Sequence, residues 1–196
     1  MKVPPLPHLV LLFFLGGVFL HFLLAGARTF ARSGISDERG AGYAQISFVF
    51  GGTMATWFLG LYQPIHLANG IIATVVLLAS ISLYEWSRHT IWLRRFHVGW
   101  SGFVPDELCE VGPYRHVRHP IYASYLLAFL AATIALPHPL TGAILAANVV
   151  LLVHGAHDDE RSIAESPLAG KYAAYRERTG MFWPRFSRSG PDRSTP

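Results

Sequence analysis

Residues 121–157 read IYASYLLAFLAATIALPHPLTGAILAANVVLLVHGAH and contain no Asp, Glu, Lys or Arg. A helix needs about 20 apolar residues to cross a bilayer, so this run is long enough for two crossings. Pro137-His138-Pro139 interrupts it at its midpoint, and such a cluster marks a turn. The stretch therefore predicts a membrane hairpin. Just before it stands Gly112 to Tyr122, GPYRHVRHPIY, and just after it Asp158-Asp159-Glu160-Arg161. A hairpin returns to the side on which it began, so Arg118-His119 and Glu160-Arg161 are expected to meet at one membrane face.

Working outward, Val3 to Ala27 and Tyr43 to Tyr84 also lack Asp, Glu, Lys and Arg, and the second of these is broken at Gln63-Pro64. Five spans follow, at about 6–27, 43–62, 67–86, 121–136 and 140–157. With 52% hydrophobic and 14% charged residues the chain belongs to the polytopic, all-α membrane class. A single domain over 1–186 is expected. All of the 16 Lys and Arg except Lys2 fall in the first loop, the third loop or the tail. The positive-inside rule then puts the N-terminus outside and the C-terminus in the cytoplasm, and the expected location is a bacterial inner membrane. A basic collar beside anionic lipid headgroups accounts for the net charge of +4, so no nucleic-acid partner is required.

Ala25-Gly26-Ala27 has the small-residue character of a leader cleavage site, but the apolar run before it is longer than a usual leader core, and cleavage would reverse the charge rule. The first span is read as a membrane helix. Arg88 to Val104 mixes Trp92, Phe96, Trp100 and Phe103 with Arg94, Arg95 and His97, which suits an anchoring belt in the headgroup layer or a gate pivoting on Gly99 and Gly102. Ser166-Pro167 reads as an N-cap followed by a first-turn proline, and Gly180 as a stop, predicting a short cytoplasmic helix over about 167–179. Residues 187–196 have the composition of a disordered tail.

Candidate chemistry gathers at the feet of the hairpin. Tyr114, Arg115, His116, Arg118, His119 and Tyr122 crowd hydrogen-bonding groups into a short segment, more than a span boundary needs. Pro120 lacks an N–H and suits the first turn of a helix. On the far foot His154, His157 and Arg161 share a helical stripe, with Glu160 beside it. Ionisable groups at a span end face protein or water, and two such clusters meeting at one face make a site. The pairs His116/His119 and His154/His157 raise the question of a metal, but four histidines are too few for a di-iron centre, and no metal is expected. No phosphate-binding glycine loop is present. Gly16-Gly17 and Gly51-Gly52 are read as close-packing positions.

At these residues the chain resembles the isoprenylcysteine carboxyl methyltransferase family, within the wider group of integral-membrane methyltransferases that also includes phospholipid methyltransferases. The likeness covers about Asp106 to Phe186. It rests on Gly-Pro-Tyr-Arg-x-x-Arg-His-Pro-x-Tyr, met by Gly112 to Tyr122, and on an acidic pair followed by Tyr-x-x-Tyr, met by Asp159-Glu160 and Tyr172/Tyr175. The resemblance implies S-adenosylmethionine bound at the cytoplasmic ends of the last spans. A lipophilic small molecule or lipidated substrate would arrive from the bilayer, bearing a carboxylate, thiol or amine acceptor. By family position Leu108, Cys109, Tyr114, Arg118, His119, Pro120, Tyr122 and Glu160 would hold the cofactor. Glu160, Arg118 and His119 would be catalytic, with Glu160 holding the cofactor's ammonium or orienting the acceptor.

The chain departs from that pattern in three places. Ser124 stands where the family has Gly, a small-for-small change. The spacing from Glu160 to Leu168-Ala169 is irregular. Relatives acting on prenylcysteine carry an Arg one helical turn before the Glu, where this chain has Ala156, which argues against prenylcysteine unless His157 substitutes. Two other readings compete: a membrane NADPH-dependent reductase of the sterol reductase type, for which the chain is short, and a non-catalytic membrane subunit built on the same fold.

Overall fold

A computed structural model describes residues 6–31, 39–94 and 107–185, and the side chains of 8–25, 51–92 and 107–185. Six α-helices follow in chain order: α1 (Leu6–Ala31), α2 (Arg39–Tyr62), α3 (Leu67–Arg94), α4 (Pro120–Ala135), α5 (Pro139–Ala164) and α6 (Ala169–Arg178). A 3-10 turn at Gly112–Arg115 precedes α4. Among the described residues there is no strand, only an isolated bridge between Val117 and Gly180.

Five long helices thus stand where apolar runs predicted them, but α3 and α5 run on to Arg94 and Ala164 rather than ending near 86 and 157. The charged residues beyond the apolar runs do not stop a helix, because pairs three and four residues apart lie on one face and support it. Arg88 pairs with Glu85 at 2.6 Å, and Asp158 lies 3.4 Å from His154 and 3.7 Å from Arg161. Among the described residues, three helices are long and apolar enough to cross a membrane: His8–Ala25, Leu67–Trp92 and Pro139–Ala164. Helix α4 is apolar but only 16 residues long, roughly 24 Å at 1.5 Å per residue. Phe13, Leu20, Ile71, Val75 and Val150 point outward from these helices, giving the bundle an exposed apolar surface.

One turn is held from a distant helix and the other by its own sequence. Between α2 and α3, the ring of His8 is hydrogen-bonded through Nε2 to the Gly60 carbonyl at 2.6 Å and through Nδ1 from the Ile65 amide at 3.1 Å. Between α4 and α5, His138 caps the new helix: its Nδ1 accepts from the Leu140 amide, and Thr141 closes the reciprocal bond to the His138 amide. The most extensive helix pair is α3 with α4. Ala128, Ala131, Ala132 and Ala135 are buried on α4, and residues this small let helix backbones approach closely. Ser124 joins them. Its carbonyl accepts from Ser80 Oγ at 2.7 Å, and its own hydroxyl bonds back to the Ile121 carbonyl, so a serine is accommodated at this position.

The glycine pairs divide. A Cβ on Gly52 would come within 2.9 Å of Ile144, and one on Gly16 within 3.5 Å of Trp57, so these two are packing positions. A Cβ on Gly17 or Gly51 would meet nothing within 4 Å among the described residues. Ser166 is not the N-cap of the last helix, which starts later than predicted, after Leu168. Its hydroxyl instead donates to the Ile163 carbonyl and accepts from the Leu168 amide, closing the turn that leaves α5. Of the belt or gate read over Arg88 to Val104, residues 88–94 continue α3 and Trp92 is exposed there, while Phe96, His97, Gly99, Trp100, Gly102 and Phe103 lie outside the described residues, as does the tail 187–196.

Candidate active site

The segment leading into α4 is shaped by one backbone angle. Gly112 adopts φ +60, the left-handed region that costs a side chain strain. A Cβ there would also sit 2.5 Å from Thr90 Oγ1 on α3. The 3-10 turn then seats the buried Pro113 and leads to Val117, which is bridged to the chain after α6. The amides of Arg118 and His119 donate to the carbonyls of Gly180 and Met181 at 2.8 and 3.0 Å, and the Gly180 amide donates to the His116 carbonyl. The tail is thereby strapped along the motif. Gly180 does not merely end a helix: a Cβ there would fall 1.7 Å from the Trp183 carbonyl oxygen, so the strap requires glycine. His119 stands at the N-cap position of α4, its side chain making no capping bond, and Pro120 takes the first turn, where its missing N–H costs nothing.

On α5 the buried positions include Asn148, Leu152, Ala156 and Glu160, each four residues from the next. That spacing is one helical face, and it delivers Glu160 into the bundle at the level of the α4 cap. Arg118 Nε donates to Glu160 Oε1 at 2.7 Å, and His119 Nε2 lies 3.3 Å from the same oxygen. The two feet of the hairpin therefore meet. Arg118 also donates through NH1 to the Thr179 carbonyl, so one guanidinium ties α4, α5 and the residue that ends α6. Side-chain exposures of 8% for Arg118, 12% for His119 and 5% for Glu160 make this a nearly dry ionic cluster. Around it, His119 stacks on Tyr122 at 5.4 Å with 9° between the planes, and the Tyr122 hydroxyl donates to Asp159 at 2.9 Å.

Helix α6 closes the cluster with two tyrosines one turn apart, Tyr172 and Tyr175, both buried. The Tyr175 hydroxyl donates to the Tyr114 carbonyl at 2.6 Å. The Tyr172 hydroxyl, beside the Glu160 carboxylate, and Glu160 Oε2 make no hydrogen bond of good geometry; Arg176 Nε lies 3.7 Å from that oxygen. Burial pushes the phenol of Tyr172 up, and the negative charge of Glu160 beside it adds to the shift. Burial, reinforced by a nearby Cys109 thiol, does the same to Tyr114 and Tyr175. Leu108 and Cys109 are half-buried just ahead of the 3-10 turn.

Other sequence candidates stand elsewhere. Arg115 and His116 are exposed, so the density of polar groups in the motif overstated the number that turn inward. His154, His157 and Arg161 are exposed on α5, off the buried face that carries Glu160. Ala156 lies on the buried face, so the exposed His157 does not stand in for the missing arginine. Among the described residues no group of three or more His, Cys, Asp or Glu is placed to hold a metal ion.

The sequence reading missed three partnerships: Tyr122 with Asp159, Arg176 beside Glu160, and a second ionic cluster. In the last, His21 on α1 lies 2.5 Å from Glu85 on α3, which also pairs with Arg88. A His within an apolar helix, and an acid followed three residues later by Arg near the end of another, are the signals that mark it.

No family model and no solved structure matches the chain. Over 88 residues, 44% of its length, it is 33% identical to a methanethiol S-methyltransferase of a Pseudomonas species, strain GM41. The match covers 33% of that protein, so the chain spans about a third of the length of the curated relative it matches. An all-helical chain with three helices fit to cross a membrane, an ionic cluster closed off beneath its last helix and a partial likeness to a methyltransferase is what sequence and structure together establish.

Proposed function

We propose that the protein is an integral-membrane methyltransferase related to the isoprenylcysteine carboxyl methyltransferase group, taking its methyl group from S-adenosylmethionine. Its acceptor is a lipophilic molecule, bearing a carboxylate, thiol or amine, that arrives through the bilayer. On this reading 1–186 is one domain whose five long helices all cross an inner membrane, with the N-terminus outside and the C-terminus cytoplasmic.

The observation that carries the reading is the buried Arg118–Glu160–His119 cluster, in which one carboxylate oxygen is held twice and the other lacks a hydrogen bond. A buried acceptor left unpaired costs about 1–3 kcal/mol. Such an atom suits a ligand that brings its own donor, and the methyl donor's amino-acid end carries an ammonium. The residues present fit the group: Glu160 would take its ammonium, while Leu108, Cys109, Tyr114, Arg118, His119, Pro120 and Tyr122 would line the rest. When bound, S-adenosylmethionine supplies a methyl on a sulfonium, which a nucleophile displaces in line.

The chain's own residues set the conditions for that displacement. Arg118 fixes the rotamer of Glu160 through a short charge-assisted bond. A carboxylate only accepts, so the His119 Nε2 that bonds it carries a proton, and in the neutral ring Nδ1 is the acceptor nitrogen. A thiol or amine acceptor must shed a proton before it reacts, and His119 Nδ1 is the group that holds it. Strapped against α4, the tail keeps water from the cluster, which strengthens each charge interaction inside.

The test is to incubate the detergent-solubilised protein with radiolabelled S-adenosylmethionine and a membrane lipid extract and to identify the labelled product. Labelled lipid is expected from the wild type, and loss of labelling by at least a hundredfold from Glu160→Gln and His119→Ala, the range of one lost acid–base group. Wild-type turnover in either variant, with the fold verified by circular dichroism, overturns the assigned roles.

A further inference from the structure

Neighbouring acids on α5 hold neighbouring groups at the entry of α4. Glu160 Oε1 lies 3.3 Å from His119 Nε2, and Asp159 Oδ2 accepts from the Tyr122 hydroxyl at 2.9 Å. The second contact stands outside the Arg118–Glu160–His119 cluster, yet it bears on it through ring packing. The His119 and Tyr122 rings lie 5.4 Å apart with 9° between their planes, within the spacing of an offset stack. The His119 ring also meets Phe182 of the strap, at 6.2 Å and 58°.

A histidine turns easily about its Cβ–Cγ bond, because the preference of that torsion is broad. The bond to Glu160 is long, so by itself it does not fix the plane of the ring. A parallel ring does so, provided that it is itself held. Tyr122 is 7% exposed, and Asp159 grips its far end. A phenol oxygen lies on the axis of its ring, so a bond at that atom resists displacement of the whole side chain.

We propose that Asp159 and Tyr122 are a positioning pair for His119: the carboxylate anchors the phenol, the phenol ring sets the plane of the imidazole, and the imidazole thereby keeps Nε2 on Glu160 and Nδ1 in one place. This rests on the reading above in which His119 takes the acceptor's proton. It gives the two adjacent acids separate tasks. Glu160 meets the His119 nitrogen directly, and Asp159 acts on the same ring through Tyr122.

The experiment compares Tyr122→Phe, Asp159→Ala and Asp159→Asn with the wild type, as full-length protein in detergent. NMR of protein carrying isotopically labelled histidine reads the tautomer of His119 at alkaline pH, where imidazole is neutral, with its signals identified by their absence from His119→Ala. The wild type should show one tautomer, protonated at Nε2. Tyr122→Phe and Asp159→Ala should show a mixture of the two, whereas Asp159→Asn, whose amide oxygen still accepts from the phenol, should keep the single form. With radiolabelled S-adenosylmethionine and membrane lipid extract, Tyr122→Phe and Asp159→Ala should lose about tenfold in kcat with little change in KM for the methyl donor, the scale of a slightly misplaced catalytic group. Asp159→Asn should restore most of that loss. A lower melting temperature in Tyr122→Phe with His119 still a single tautomer would reveal a plain staple between α4 and α5 and overturn the positioning role, as would an unchanged kcat. If the wild type transfers no methyl group, the methyltransferase reading fails on its own, and the tautomer comparison still decides whether Asp159 and Tyr122 set the ring.

Discussion

Two clusters in this molecule are made from the same three residue types, and they differ in almost everything else. Arg118, His119 and Glu160 join α4 to α5 with side-chain exposures of 5–12%, whereas His21, Glu85 and Arg88 join α1 to α3 with exposures of 37–41%. In the exposed cluster both Glu85 oxygens are hydrogen-bonded, by Arg88 and His21. In the buried cluster one oxygen is left over. A half-exposed ion pair contributes little, because solvent competes for each charge. A buried one is hazardous to disturb, since the surviving charge is stranded. The well-satisfied cluster is thus a staple between helices, and the incompletely satisfied one carries the marks of a site.

Breaking the buried cluster should have the largest consequence. Glu160→Ala leaves the Arg118 guanidinium buried with backbone carbonyls as its remaining partners, and a loss of about 3–5 kcal/mol is expected in denaturant unfolding in detergent. A loss under 1 kcal/mol would show that the cluster is wetter than its burial implies. The strap that seals it comes next. Gly180→Ala forces a methyl against the Trp183 carbonyl, a clash expected to cost about 1–3 kcal/mol. It should also release the amides of Arg118 and His119 to faster hydrogen exchange, because those amides bond to Gly180 and Met181. Protection equal to wild type at these two amides would mean that the strap is not what closes the site.

The exposed cluster should respond least. A double-mutant cycle on Glu85 and Arg88 is expected to give a coupling of about 0.2–1 kcal/mol. Raising the salt concentration should shrink that value further, by screening. A coupling that stays large at high salt would place these groups in a drier setting and erase the contrast with Glu160.

Much of the architecture was legible in the linear chain. Apolar length and the turn at Pro137-His138-Pro139 are local properties, so α4 and α5 stand where the sequence puts them, and a hairpin must bring its two feet together. The inward face was only partly legible. The run Asn148, Leu152, Ala156, Glu160 was there to be read as one face, but the attention drawn by His154, His157 and Arg161 fell on exposed positions of the same helix. Composition cannot separate them, because histidine and arginine serve equally well in a headgroup layer and in a site.

The sequence by itself determined how many long helices form, where they turn, and that Arg118, His119 and Glu160 end on one side, since each follows from segment length and local backbone preference. Only the tertiary structure decided the rotation of α5 that buries Glu160, the return of Gly180 and Met181 alongside Arg118 and His119, and the meeting of His21 with Glu85. Those depend on contacts between residues far apart in the chain. A helix is free to turn about its own axis until its neighbours fix it, and no local pattern records which neighbours it will have.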